Sequence, residues 1–301
     1  MKAHAAVSMT EISGLTRATL GPIMRSHGWV YLAPLEQTED GFRYPLVLRS
    51  GPAVTLCLAV SGTGAVIDAD RRVPSKQKQE LRTVAEHMLS LDFPLHEFRA
   101  VCRKRKATAL FRLAGKGWGR MLRSPTIWED AVKTLCTTNA SWGYTERMCR
   151  NLCLQLGEMT PAGMKTFPLP GKVLKAGQRF LEEKVGVGYR SRSLLMLARK
   201  AARGSVPWLL DSSLKPDAER AEGEIRSWHG FGPYATKHLL VLMGYHGYLP
   251  IDREVGIHLG IRKPGDKGSD LDSDHFENWG KFRFTAYKLT RVARQMNWIG
   301  D

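Results

Sequence analysis

The sequence contains few cysteines and no long apolar run, and each shortage excludes a class of protein. Five cysteines among 301 residues are too few, and odd in number, for a disulfide-based scaffold, so they indicate a reducing compartment. The longest apolar runs, such as residues 53–60, are too short to cross a bilayer. Residues 1–14 lack the apolar core of a signal peptide, so we expect a cytoplasmic protein.

Acidic residues are also scarce relative to basic ones. The chain has 45 Lys and Arg against 29 Asp and Glu, which gives a formal net charge of +16. Two segments, 101–123 and 281–294, are basic and contain no acid at all. This charge favours a polyanionic partner, with nucleic acid first and an anionic membrane surface second. Solvated helix faces remain the alternative interpretation of such runs.

The order of apolar patterns predicts an α+β protein. An apolar content of 43% excludes a wholly disordered basic chain. Short apolar or β-branched runs separated by Gly, Pro and Ser predict strands at 29–35, 42–48, 53–60 and 65–68. A helix is predicted around 81–89, and the pattern is helical from about residue 107. We therefore predict a β-rich N-terminal domain over 1–106 and a mainly helical domain over 107–301.

Capping and spacing signals divide the second domain into helices. Ser124 followed by Pro125 predicts an N-cap and a first helical position. Four further helices are expected over 144–156, about 172–185, around 194–201 and over 217–228.

A tight turn between two helices follows the last of these segments. Gly230 and Gly232 can adopt positive φ angles and let backbone N–H groups approach a phosphate. Pro233 then begins a helix whose first amides have no partner within the helix and attract anions. Asp252 lies twenty residues after Gly232 and is placed to cap a short helix that runs to Leu259.

Together these segments resemble the helix-hairpin-helix superfamily of DNA glycosylases, known as HhH-GPD. The hairpin at 228–236 and the Asp at this spacing resemble its signature, and three upstream segments agree in the same order: 122–156, 167–170 and 185–192. The resemblance is to the 8-oxoguanine and alkyladenine glycosylase subfamilies and covers about residues 107–262. It implies base flipping, cleavage of the N-glycosidic bond, and binding of double-stranded DNA by a monomer.

The resemblance implies that Asp252 is the catalytic carboxylate, which stabilises positive charge on the sugar and orients a water. A plain helix cap is the alternative role. Relatives that also cut the strand carry a Lys where this chain has Tyr234, and a phenol cannot form their Schiff base. We therefore expect a monofunctional glycosylase. Tyr234 either stacks on the flipped base, which suits an electron-poor or cationic base, or packs the hairpin.

The resemblance also assigns residues to DNA binding. Asn139, in the polar turn after the helix that begins at Ser124, is expected to fill the gap left by the flipped base. Trp142 either lines the base pocket or joins the core, and we favour the core. The other expected DNA contacts are Gly230, Gly232, Thr236, Lys237, Arg190 and Arg192. Arg190 and Arg192 could instead form a solvated helix start.

No cofactor is expected for catalysis. The hairpin carbonyls of Arg226, Trp228 and Phe231 are implied, by the resemblance, to hold a structural monovalent cation. Cys149 and Cys153 have no second pair beyond them, which argues against an iron–sulfur cluster and favours core thiols. The modified base stays open: an alkylated purine, an oxidised purine or a modified pyrimidine. The alternative functions are a non-enzymatic DNA lesion or structure binder, a bifunctional enzyme that uses another lysine, and an RNA-binding protein.

Overall fold

A computed structural model describes residues 10–49, 51–62, 64–260 and 274–299. Its N-terminal part is an antiparallel sheet of five strands in the order β1-β5-β4-β3-β2. The strands are β1 (Thr10–Ser13), β2 (Glu36–Gln37), β3 (Gly41–Val47), β4 (Ala53–Ser61) and β5 (Gly64–Ala69). The sheet and the helices after it confirm the predicted α+β class.

Three of the four predicted strands are confirmed, but the one at 29–35 is wrong. Residues Gly28–Tyr31 form a 3-10 turn instead. Trp29 and Val30 are both buried although they are neighbours in sequence. A strand would direct consecutive side chains to opposite faces, whereas a helical turn lets both reach the core.

Twelve α-helices lie in the described part of the chain. The first six are α1 (Arg17–Met24), α2 (Ser75–Met88), α3 (Leu95–Lys104), α4 (Thr108–Gly115), α5 (Ile127–Thr137) and α6 (Trp142–Leu156). The others are α7 (Pro170–Phe180), α8 (Arg190–Ala202), α9 (Ala218–Arg226), α10 (Pro233–Leu242), α11 (Arg253–His258) and α12 (Arg283–Gln295). Within the described ranges, no helix is both long and apolar enough to span a membrane.

The predicted helix ends are partly corrected. Thr126, not Ser124, is the N-cap of α5, and its side chain accepts the Glu129 N–H. Ser124 is buried instead and bonds to side chains of α5 through its N–H and its hydroxyl. The helix predicted at 172–185 is interrupted at Gly177 (φ 75°) and continues as a π-helical turn, Leu181–Val185.

The main core contains buried side chains from the sheet and from most of the helices. A second, smaller core lies between α3, α4 and α12. The predicted domain boundary after residue 106 falls between α3 and α4, which pack together, and it stays a prediction. Because α4 also packs on α12, the two acid-free basic segments are neighbours in space.

A fully buried polar cluster, which we call the brace, ties the sheet to α5. Tyr44 donates to the carboxylate of Glu129, which also pairs with the Lys133 ammonium at 2.8 Å. Asp130 accepts the indole N–H of Trp29 at 2.8 Å. Each charge of the brace therefore has a charged or polar partner, as burial requires.

Candidate active site

The turn between α9 and α10 lies at the predicted glycines, but only Gly230 has a positive φ, whereas the φ of Gly232 is −76°. Gly230 has a φ of 87°, and a Cβ there would lie 2.6 Å from Ser193 Oγ and 3.0 Å from Leu135 Cδ2. Both the backbone conformation and the close approach therefore require glycine. Gly232 is the N-cap of α10 and is exposed, as is Pro233 at the first helical position. The first amides of α10 thus lie at an accessible edge of the molecule.

Two residues of α10 differ in how well they suit the predicted DNA contact. The Thr236 side chain is buried, and its hydroxyl has no hydrogen-bond partner among the described residues. A contact between the Thr236 hydroxyl and DNA does not fit this placement, because the core covers it. Lys237 is partly exposed, and its phosphate contact stays a prediction.

Asp252 caps α11 as predicted. Its carboxylate accepts the Val255 N–H at 2.7 Å, and the residue is partly buried. Burial raises the pKa of Tyr234 well above its usual value, and the charge of Asp252 raises it further. The same charge also contributes to the raised pKa of Tyr287, in which burial is again the largest cause. The charge of Asp252 therefore acts on a residue of α10 and on a residue of α12.

Tyr234 packs against the next turn of its own helix. Its ring stacks on that of His238, with centroids 5.7 Å apart and planes 15° apart. Tyr234 is a neutral phenol at physiological pH, and its raised pKa makes ionisation still less favourable. This stack agrees with the packing role considered above, while stacking on a flipped base stays a prediction.

A set of polar side chains that the sequence did not point to lies beyond Tyr234. The His238 ring is 5.3 Å from that of Trp29 and 6.3 Å from that of His27, measured between centroids. Burial, followed by the charge of Lys288, lowers the pKa of His238 to about 4. Burial also lowers the pKa of His27, and Lys288 again contributes. We call His27, Trp29, His238 and Lys288 the pocket cluster.

The turn between α5 and α6 presents the predicted gap filler. Asn139 is exposed and has a left-handed backbone, with a φ of 46°. Trp142 is 42% exposed, so the favoured core assignment is wrong. Its indole donates to Glu146 at 2.8 Å, and the six-membered ring lies over Gly28, where a Cβ would meet it at 2.2 Å. Trp142 therefore lies next to the segment that carries His27 and Trp29 of the pocket cluster.

Arg190 does not fit a phosphate contact. It is buried, and its guanidinium donates to the carbonyls of Leu135 at 3.2 Å, Thr138 and Asn139 at 3.3 Å. These bonds make Arg190 a support for the turn that carries Asn139. Arg192, on the same helix, is exposed, and its contact with DNA stays a prediction.

Metal-binding groups are sparse in the described ranges. No cluster of three or more His, Cys, Asp or Glu side chains there could hold a metal ion. Cys149 and Cys153 are buried, which agrees with core thiols. At the hairpin, the Trp228 carbonyl accepts the Phe231 N–H at 3.1 Å, and a cation bound by it, Arg226 and Phe231 stays a prediction.

Comparisons with known proteins agree on the fold. A 3-methyladenine DNA glycosylase from Archaeoglobus fulgidus is similar with a TM-score of 0.72 and 17% identity, over 95% of this chain and 99% of that one. MBOgg1, solved with a low-affinity DNA ligand, gives a TM-score of 0.70 and 16% identity over 98% of both chains. The 8-oxoguanine glycosylase/lyase of Clostridium acetobutylicum, bound to double-stranded DNA, gives a TM-score of 0.61 and 16% identity, over 88% of this chain and 99% of that one. No family model and no curated protein matches the sequence. The chain thus has the fold of these DNA glycosylases, as the resemblance implied.

Proposed function

We propose that this protein is a monofunctional DNA glycosylase that flips a chemically modified base out of double-stranded DNA and hydrolyses its N-glycosidic bond. The observation that carries the proposal is Asp252, oriented by the Val255 N–H and close to Tyr234 of the hairpin, within a glycosylase fold. We further propose a monomer that works in the cytoplasm, in association with DNA.

Asp252 has two chemical tasks in this proposal. As the bond between C1′ and the base nitrogen breaks, its electron pair leaves with the base and positive charge grows on the sugar. A fixed carboxylate stabilises that charge. Water then bonds to C1′ and gives its proton to Asp252 or to solvent, which leaves an abasic site. The backbone bond to Val255 holds the carboxylate in one orientation throughout.

Tyr234 decides between hydrolysis and strand cleavage. A lyase of this kind needs an amine that attacks C1′ and forms an imine. The phenol of Tyr234 cannot form one, so water is the nucleophile that fits this site. The alternative bifunctional enzyme would need another amine, and Lys237 and Lys288 are the lysines to test.

Two features support the engagement of DNA. The exposed amide edge at Gly232 and Pro233 suits a phosphate oxygen. Asn139 is exposed at the tip of the turn between α5 and α6. Arg190 supports this turn by donating a hydrogen bond to the Asn139 carbonyl. Extrusion of a base costs unstacking energy, and a side chain that enters the gap repays part of it.

The proposal is tested by incubating the protein with duplexes that each carry one modified base. We expect one class of base to be released and the DNA strand to break only after alkali. Borohydride should trap no covalent complex, because no imine forms. Trapping would contradict hydrolysis, and its loss in Lys237→Met or Lys288→Met would identify the amine. Tight binding of a modified duplex without base release would favour the non-enzymatic binder.

A further inference from the structure

A groove of about 440 Å³ opens at the surface beside the second, smaller core. It is lined by the start of α4, by the cationic side chains of Lys106 and Arg112, and by Trp279, Thr290 and Trp298. In the described part of the chain, its lining includes no residue of the hairpin, of α11 or of the turn between α5 and α6. We call it the tryptophan groove. It is a second concave surface, which shares no described residue with the candidate active site.

Each tryptophan of the groove is paired with a cation. The Arg105 guanidinium lies over the Trp279 ring, 5.0 Å from its centroid, and donates to the Asn278 carbonyl. The Lys116 ammonium lies over the Trp298 ring, 4.9 Å from its centroid. A cation over an indole face is attracted by the π electrons and helps to keep the ring in place. The two indoles are therefore held in an ordered arrangement, with positive charge next to each.

Packing in the core accounts for Trp279 better than for Trp298. The Trp279 ring contacts that of Phe98 in the second core, with centroids 5.9 Å apart. Trp298 is 39% exposed, although an indole gains more from burial than almost any other side chain. Lys106 and Arg112, which line the same groove, are exposed as well. The groove therefore offers solvent an indole surface and cationic hydrogen-bond donors together.

The charge around the groove favours a polyanion. Its α4 wall lies in the segment 101–123 and Thr290 lies in the segment 281–294, and neither segment contains an acidic residue. The chain as a whole has a net charge of +16. Such a surface attracts phosphate groups and releases counterions when it binds them. Charge complementarity therefore indicates nucleic acid as the occupant.

The exposed indole distinguishes between kinds of nucleic acid. A duplex presents phosphates but keeps the faces of its bases stacked inside, so it makes little use of an aromatic ring. An unpaired nucleotide presents both a phosphate and a free base face, and proteins that bind single strands combine a basic groove with aromatic rings. The volume of about 440 Å³ lies within the range of about 300–1,000 Å³ typical of sites for small organic molecules, which suits a single nucleotide.

We propose that the tryptophan groove binds an unpaired nucleotide of single-stranded DNA or RNA. The base stacks on the exposed indole of Trp298, with Trp279 beside it, and the neighbouring phosphates contact Lys106 and Arg112. This site goes beyond the excision proposed above, because it uses neither Asp252 nor the hairpin. It gives the protein a second contact with nucleic acid, at a strand that is not paired.

The test compares single strands with a duplex in variants of the groove. The probes are labelled oligothymidylate and oligouridylate of about 12 nucleotides, a length within the usual site sizes of single-strand binders. A blunt duplex of the same length and unlabelled polyglutamate serve as the other ligands. Fluorescence anisotropy measures affinity at several salt concentrations for the wild type, Trp298→Ala, Trp298→Phe and the double variant Lys106→Met with Arg112→Met.

Each groove variant has a matched control elsewhere on the surface. Tyr31→Ala removes an aromatic ring that is 64% exposed. Arg72→Met with Lys76→Met removes one arginine and one lysine that are both exposed. Circular dichroism checks that each variant folds. Because Lys106 and Arg112 are also exposed, their double variant and Trp298→Phe decide the question if Trp298→Ala does not fold.

We expect Trp298→Ala to weaken the binding of single strands about 5- to 150-fold, as for the loss of one base–aromatic stack, and to leave duplex affinity unchanged. Trp298→Phe should restore much of the affinity, because a phenyl ring still stacks on a base. The Lys106 and Arg112 double variant should reduce the slope of log affinity against log salt by about 1.4, since each phosphate contact with a single strand contributes about 0.7. A larger effect on oligothymidylate would identify DNA as the source of the strand, and a larger effect on oligouridylate would identify RNA.

Equal affinities of Trp298→Ala and Tyr31→Ala for single strands would overturn the inference, as would a wild type that binds neither strand. An equal loss of duplex affinity in Trp298→Ala would make the groove a contact for the duplex backbone instead. Displacement of the strand by polyglutamate as readily as by unlabelled oligothymidylate would make it a site for acidic protein chains. Because base release is not measured, failure of the proposed catalysis would leave this test unaffected.

Discussion

The brace and the pocket cluster share Trp29 and differ in how their lysine ammonium groups are paired, although the brace also has one buried atom, Oδ2 of Asp130, without a partner among the described residues. In the brace, Lys133 has both a carboxylate and a hydroxyl partner. In the pocket cluster, Nδ1 of His27 and Nε2 of His238 are buried without a partner among the described residues. Paired buried charge holds a fold together, whereas a buried polar atom without a partner is still able to bond to a ligand.

The largest effect is expected from breaking the brace. Lys133→Met leaves the Glu129 carboxylate buried without its cation and should cost about 3–5 kcal/mol of unfolding free energy. Arg179→Met is the matched control, because Arg179 and Glu183 have the same spacing but are exposed, and it should cost at most about 1 kcal/mol. Urea unfolding of both variants measures the difference, and equal losses would refute the structural role of the brace.

In the pocket cluster, removal of the lysine charge is expected to raise the unfolding free energy rather than lower it. Lys288→Met removes a partly buried cation that has no partner among the described residues, and it should stabilise the protein by about 1–3 kcal/mol at pH 7. The folded-state pKa lies below that of the unfolded chain, so the penalty is complete below pH 8 and disappears as pH rises towards 10.5. The gain in unfolding free energy of Lys288→Met over the wild type should therefore be smaller at pH 10 than at pH 7. A destabilised Lys288→Met would mean that the ammonium has a structural partner.

A pH-dependent effect of similar size is expected from His238. In the unfolded chain it gains a proton below its ordinary pKa of 6.5, whereas in the folded protein it stays neutral to about pH 4. Between these values the unfolded state binds more protons, so His238 lowers stability by about 1.4 kcal/mol for each pH unit of acidification. His238→Phe should flatten the loss of stability between pH 6.5 and 4.5. An unchanged slope would show that His238 is protonated in the folded state.

The sequence predicted what depends on neighbours along the chain. The hairpin glycines, the proline that begins α10 and the cap at Asp252 are local signals, and the structure has each of them. Burial of Arg190 was not predicted, because the carbonyls that it binds belong to another helix. The 3-10 turn at Gly28–Tyr31 was predicted as a strand for a related reason. Trp29 bonds to Asp130 of α5, and the local sequence does not indicate this contact.

The pocket cluster shows more clearly what could not be predicted from the sequence. His238 lies four residues after Tyr234, so helical spacing alone could have placed both side chains on one face. His27 and Lys288 lie near opposite ends of the chain, and no pattern in either segment indicates that they meet. Only tertiary packing lets Lys288, which has no acidic partner in the described part of the chain, act electrostatically on two buried histidines.

The most direct test of the central claim compares two aspartates with the same local role. Asp252 caps α11 and Asp217 caps α9, each by accepting a backbone N–H. Asparagine is also a good N-cap, so Asp→Asn at either position removes the charge and keeps the cap. Single-turnover base release should fall about 10²- to 10⁴-fold in Asp252→Asn, with DNA affinity retained, and stay near wild type in Asp217→Asn. Full activity in Asp252→Asn would show that this carboxylate is only a helix cap and would contradict the account.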